Sequence, residues 1–349
     1  MKILFHLGHP AHFHLFKNNI KILKENGDTP YILIKKKDVL EDLLKSSGFD
    51  YLNILPDGRK DSMVAIGFGL LRQDLAMIRF CLKHKVDLLI GTSASINRVG
   101  KFMNIPSLFV GEDDAAAVPL QAKIGYPFLT KIITPTCCDN GKWDKNSIKY
   151  EGYHELAYLA PKYFSADKAL ANKYVNTDEK YFVLRFAKLG AHHDKGIGGI
   201  NDEMAEKLVD ILSGYGRVYI TSERVLNASL EKYRVAVDPI DMHHVLAFST
   251  VYIGDSQTMA AEAAVLGVPF IRFNDFVGRI GYLDELENKY HLGFGIKTKD
   301  KALLFEKAEA LVKEEDVRAL YAAKREKMLA DKIDVVQFLD GLIAEFAKK

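Results

Sequence analysis

His9, His12 and His14 stand close together in the segment Gly8–Asn18, GHPAHFHLFKN, directly after an apolar run. Imidazole is the side chain best suited to move a proton near neutral pH, so this turn is a natural place to expect a general base. Three imidazoles also raise the question of a metal, but no carboxylate lies nearby in sequence, and each His alone reads equally as a turn residue or helix cap. A second constellation is Asp255–Glu262, DSQTMAAE, between a short apolar run and an Ala-rich stretch. A helix start offers unpaired N–H groups and a partial positive charge, which suits phosphate. Ser256, Gln257 and Thr258 add hydroxyl and amide groups there, and Glu262 follows one helical turn from Thr258 on the same side. A carboxylate so placed can accept both hydroxyls of a ribose. The competing reading is an ordinary buried β-α-β unit with a polar turn.

Weaker signals surround these two. Glu112-Asp113-Asp114 follow the apolar run SLFVG and either cap the next helix or offer a base to a ligand. Gly91-Thr92-Ser93 form a hydroxyl-rich turn that either binds hydroxyls or caps a helix. Arg185 ends another apolar run and is followed by a Gly-rich loop bearing His192, His193, Asp194 and Lys195, a candidate pyrophosphate clamp. The loop fits neither a GxGxxG nor a P-loop pattern. His243-His244 read as surface or packing residues.

The elements that must position these groups alternate. Runs at 3–7, 31–35, 51–55, 88–91, 107–111 and 131–134 read as strands, with helical patterns at 15–25, 39–46, 70–85 and 115–125. A polar break at about 135–161 reads as a linker. The alternation resumes with strands at 181–186, 217–222, 251–254 and 270–273 and helices at 201–213, 242–248 and 258–266, and from residue 301 onward only helices are expected. Strand alternating with helix argues for doubly wound parallel sheets. In such sheets ligands bind where strands end and helices begin.

The 349 residues are long for a single core, and 48% apolar with 27% charged residues is a globular composition. Net charge is +2, so nothing global points to nucleic acid; residues 1–149 carry 21 Lys+Arg against 15 Asp+Glu (+6), and the remainder 27 against 31 (−4). The three cysteines, two of them adjacent, fit a reduced cytoplasmic protein. The N-terminus lacks the pattern of a signal peptide, and no apolar run reaches the ~20 residues of a transmembrane helix. Helix 70–85 pairs an apolar stripe (Leu71, Leu75, Ile78, Leu82) with basic residues lying mostly off it, which reads either as a helix covering a sheet or as a peripheral membrane contact of the N-terminal half.

Four segments in order, HPAHFHLFKN, GYHELAYL (152–159), LRFAKLGAHHD (184–194) and GDSQTMAAEAAVLGVPFIRF (254–273), resemble a prokaryotic family known as domain of unknown function 354. That family is similar to GT-B glycosyltransferases and to the non-hydrolysing UDP-N-acetylglucosamine 2-epimerases. The resemblance implies a GT-B-like α/β fold: two Rossmann-like doubly wound parallel-sheet domains, an interdomain cleft and C-terminal helices. The expected boundaries are 1–150 for an acceptor domain, 151–335 for a nucleotide-sugar domain, and 336–349 for a helix returning to the first. DSQTMAAE resembles the epimerase pattern DSGGxxEE, whose Ser-Gly-Gly holds phosphates and whose last Glu holds ribose. Gln257 and Thr258 replace the glycines, while Glu262 matches. Glu112 resembles an epimerase glutamate, whereas IGTSA stands where the epimerases have the acid of HGD. The expectation is a metal-independent glycosyltransferase with no cofactor. It would take a nucleotide-sugar, a UDP-sugar, as donor and a sugar or lipid-linked acceptor in cell-surface polysaccharide or glycolipid synthesis. Donor contacts would come from Arg185, His192, His193, Lys195, Ser256, Gln257, Thr258 and Glu262. The base would be His14, His12 or Asp113, with Glu112 beside them and Gly8, His9, Thr92 and Ser93 lining the turn. The alternatives are a 2-epimerase-like enzyme and a non-catalytic sugar-nucleotide-binding protein.

Overall fold

A computed structural model describes residues 1–35, 39–55, 63–187 and 198–347. They divide into two compact units, Met1–Tyr158 with Ile333–Lys349, and Leu159–Lys332.

The first unit is built on β1 (Lys2–Leu7), β2 (Thr29–Lys35), β3 (Leu52–Leu55), β4 (Leu88–Gly91), β5 (Ser107–Val110), β6 (Lys131–Pro135) and β7 (Ser147–Tyr150). They form one parallel sheet in the order β3-β2-β1-β4-β5-β6-β7. Strands buried on both faces need continuous apolar runs. Ile3, Leu4, Phe5 and Leu7 of β1 meet that need, and so do Leu88, Leu89 and Ile90 of β4, all without solvent exposure. The chain leaves β1 toward β2 and β3 and then returns to the other side of β1 with β4. The switch point, where the crossovers part and leave a crevice at the carboxyl ends, is therefore between β1 and β4.

The break expected at 135–161 is not a linker. β7 adds a seventh strand through Ile132↔Ser147 to Pro135↔Tyr150, and Tyr153, Leu156, Ala157 and Tyr158 are buried. Four residues among Lys, Asn and Asp make too short an apolar run to announce a strand. Helix Val335–Phe346, capped by the Asp334 carboxylate, closes this unit. Asn19 Nδ2 donates to Val336 O at 2.9 Å and to Asp340 Oδ1 at 2.7 Å, fixing that helix against helix Pro10–Glu25.

The second unit holds β8 (Tyr181–Phe186), β9 (Arg217–Ser222), β10 (Val251–Gly254), β11 (Phe270–Phe273) and β12 (Gly293–Ile296), parallel and in the order β12-β11-β10-β8-β9. Its switch point is between β8 and β10. Helix Gly281–Asn288 and β12 were not apparent in the sequence, since GFGI offers little apolar pattern. Two glycines end the strands that flank the switch points. A Cβ on Gly91 would meet the His6 carbonyl oxygen at 2.5 Å, and one on Gly254 would meet the Arg185 carbonyl oxygen at 2.7 Å.

Candidate functional site

In the first unit the histidine segment is not a turn bearing three imidazoles. Helix Pro10–Glu25 starts at Pro10, whose fixed φ suits a first helical position, and His9 caps it by accepting from Ala11 N–H at Nδ1 (3.2 Å). His12 and His14 therefore sit in the first turns of the helix and point about 200° apart. His14 is buried, its ring stacked on Tyr158 at 5.2 Å. His12 faces the switch point. Its Nδ1 accepts from Gly8 N–H (3.1 Å), which places the proton of the neutral ring on Nε2, 2.9 Å from Thr92 Oγ1. A backbone N–H can only donate, so this assignment follows from geometry. Burial holds the His12 pKa well below the usual imidazole value, reinforced by repulsion between a protonated His12 and the basic groups around it, His9, His154, Lys35 and His6. From β1, His6 Nδ1 lies 2.6 Å from Ser93 Oγ, so the Ser93 hydroxyl turns to His6 instead of capping helix Ala94–Met103.

A residue to which sequence reasoning gave no role completes this group. His154 Nδ1 lies 3.3 Å from Glu112 Oε1, and the His154 backbone N–H donates to Glu112 Oε2 at 3.2 Å. A carboxylate on Nδ1–H sets the tautomer and leaves the lone pair on Nε2. Nε2 is buried and, among the described residues, has no hydrogen-bond partner. Burial lowers this imidazole to about 4, with Glu155 and Asp113 opposing, so the ring is neutral and able to accept a proton at pH 7. The available signal was the segment GYHELAYL, whose only imidazole is His154. The acids after β5 do not cap a helix, because the next one begins at Pro119. Asp114 accepts from Asp139 N–H (2.6 Å), and Asp113 is exposed.

In the second unit Asp255, Ser256, Gln257 and Thr258 lie at the carboxyl end of β10, beside the switch point. Ser256 caps helix Gln257–Val265, its Oγ accepting from Met259 N–H at 3.4 Å. The first amides of a helix have no intrahelical acceptor, so Gln257 and Thr258, both half-buried, present theirs at that end. Asp255 is buried and its Oδ1 accepts from Ala187 N–H (2.6 Å), tying the end of β8 to the turn. Arg185 reaches the same edge from β8 and is paired with Glu223. Glu262 is buried, with His243 Nε2 at 2.9 Å from its Oε1. His243 is thus a partner that orients Glu262, a role its helical position alone did not reveal.

The structure gathers Gly8, His9, His12, Thr92 and Ser93 at the switch point of the first sheet, sets Glu112 against His154 beyond the end of β5, and turns His14 elsewhere. It gathers Arg185, Ser256, Gln257 and Thr258 at that of the second, with Glu262 one turn behind. His192, His193 and Lys195 lie outside the described residues. Among the described residues, no group of three or more His, Cys, Asp or Glu side chains is arranged to hold a metal ion.

The model of the family described as "Protein of unknown function (DUF354)" matches residues 1–281, and the chain belongs to that family. The uncharacterized protein MJ0665 of Methanocaldococcus jannaschii is 25% identical over 307 residues, which is 82% of this chain and 86% of that protein. Among solved structures, the UDP-GlcNAc 2-epimerase from Neisseria meningitidis bound to UDP-GlcNAc superposes with a TM-score of 0.69 at 13% identity, covering 99% of each chain. The spinosyn rhamnosyltransferase SpnG complexed with thymidine diphosphate gives 0.63 at 14% identity, covering 98% of this chain and all of that one. Both sheets and the C-terminal helices thus follow the fold shared by GT-B glycosyltransferases and these epimerases.

Proposed function

We propose that this member of the DUF354 family is a glycosyltransferase that moves a sugar from a nucleotide-sugar donor, a UDP-sugar, to a hydroxyl of a sugar or lipid-linked acceptor, without a metal ion. The carrying observation is that both sheets of this GT-B-like fold bring polar groups to the carboxyl ends of their strands: a helix-capped phosphate-type turn in the second unit, and an oriented neutral imidazole in the first.

On this reading the Gln257 and Thr258 amides and the Ser256 hydroxyl take the diphosphate, with Arg185 supplying positive charge. Glu262, held by His243, accepts from the ribose hydroxyls. His154, oriented by Glu112, takes the proton of the acceptor hydroxyl as its oxygen bonds to the anomeric carbon. The anomeric C–O bond breaks and the diphosphate leaves with the electron pair. His12 and Thr92, each engaged with the other, position the turn. Cell-surface polysaccharide or glycolipid synthesis is the setting this chemistry fits.

A second reading, a 2-epimerase-like enzyme, is favoured by Glu112 and by the superposition on the Neisseria protein. Against it, Thr92 stands where the epimerases have an acid, and its hydroxyl is committed to His12. The test is to incubate the protein with UDP-N-acetylhexosamines in deuterated water, with and without sugar and lipid-linked acceptors. Transfer without deuterium at C2, abolished in His154→Ala, supports the proposal. Deuterium at C2 without acceptor assigns the epimerase. Binding without turnover over the whole panel assigns a non-catalytic sugar-nucleotide-binding protein.

A further inference from the structure

Helix Met63–His84 covers one face of the first sheet, and the buried residues Gln73, Met77 and Cys81 mark its inward side. At 100° per residue, Phe68, Leu71, Leu75 and Leu82 fall within about 60° of one another on its outer surface. All four are exposed, Phe68 by 65% and Leu82 by 66%. Arg72, Arg79 and Lys83 form a second outer stripe, within about 40°, directly beside the first. A helix that merely covers a sheet turns charged and polar residues outward. Here half of the outer surface is large and apolar.

The neighbouring helices extend the pattern. Helix Ala94–Met103 packs alongside through the Asp74–Arg98 pair (2.7 and 2.9 Å) and Gln73 Nε2 to Ser95 Oγ (2.7 Å). It leaves Lys101 exposed beside Phe102, which is 77% exposed. Helix Pro119–Gly125 lies against it so closely that a Cβ on Gly125 would meet Ala94 Cβ at 2.7 Å, and it exposes Leu120 and Lys123. The three helices hold six Lys and Arg and one acid, Asp74, which Arg98 already neutralises. Arg79, Lys83, Lys101 and Lys123 are exposed beside these apolar groups, and within the three helices Asp74 is the one acid.

We propose that this face docks on a membrane surface rich in anionic lipid, the apolar side chains entering the boundary between headgroups and acyl chains and the bases meeting lipid phosphates. Charge decides the occupant. A second copy of the chain applied to the same face would bring the basic stripe against itself, and like charges across an interface are costly. An anionic bilayer meets both stripes at once. Among the described residues no helix is long and apolar enough to cross a membrane, so contact through these helices lies in the interface plane. This inference stands independently of the reaction proposed above.

The test is flotation of the full chain with vesicles of phosphatidylcholine alone and with about a quarter phosphatidylglycerol. The expected result is binding to the mixed vesicles only. Arg79→Glu/Lys83→Glu should weaken it about ten-fold or more, and Leu71→Gln/Leu75→Gln likewise, with unchanged thermal unfolding because all four side chains are outside the core. Absence of binding by the parent, or variants that float as the parent does, overturns the proposal. So does a dimer in sedimentation velocity that Leu71→Gln/Leu75→Gln splits, which would assign the face to a second copy.

Discussion

Asp255, the first residue of the phosphate-type turn, is 2% exposed and accepts from Ala187 N–H at 2.6 Å. Burial pushes its carboxyl from 3.8 to about 6, with backbone hydrogen bonds from Ala187 and Ile200 opposing. The raised value means that the native state keeps a proton which the unfolded chain loses. Below pH 3.8 both states are protonated and there is no penalty; above about 6 both are ionised and the native state bears the whole cost. At 1.36 kcal/mol per pH unit, this one carboxyl should remove about 3 kcal/mol of stability as pH rises through that window. An ion-paired carboxylate does the opposite. Asp255→Asn keeps an acceptor oxygen for Ala187 N–H and cannot ionise. The stability of Asp255→Asn relative to the parent should therefore rise by about 3 kcal/mol between about pH 3.5 and about pH 7.5. Hydrogen exchange of β8 and β10 peptides across a urea series follows the second unit separately from the first. A relative stability constant to about 1 kcal/mol over that range would refute the reasoning.

Three further outcomes are expected. Glu262→Gln should weaken UDP binding in calorimetry by about 1–3 kcal/mol, as for a lost hydrogen bond to a charged group, and His243→Ala by less; unchanged affinity in Glu262→Gln would rule out the ribose role. Gly254→Ala should cost about 1–3 kcal/mol in thermal unfolding, because its Cβ meets Tyr252 Oη at 2.5 Å and the rigid Arg185 carbonyl at 2.7 Å; an unchanged transition would show that the strands can part freely. Glu287→Ala should cost about 3–5 kcal/mol in urea unfolding, since it strands the guanidinium of Arg272, which has no solvent exposure; adding Arg272→Met should restore much of that loss, and failure to do so would argue against an unpaired charge as the cause.

The features legible along the chain were local. Apolar runs such as KILFHL and VYIG identify buried parallel strands, since strands covered on both faces are predominantly apolar. Ser256 before an Ala-rich run marks a helix start, because capping chemistry involves residues only three apart. Pro10 carried the same kind of signal for the true start of its helix. Strand order was not local. That β4 returns beside β1, and β10 beside β8, depends on how whole sheets pack, and it is this order that places the crevices. The pairs that make chemistry were equally out of reach. Glu112 and His154 are separated by 42 residues, and His243 and Glu262 by 19. No helical or strand period spans such intervals, so a lone imidazole in either segment reads as packing until the partner carboxylate is in place. Tertiary structure also decided which face of helix Met63–His84 meets the sheet: Leu71, Leu75 and Leu82 of the stripe legible in the sequence are exposed, and Met77 and Cys81 occupy the core instead.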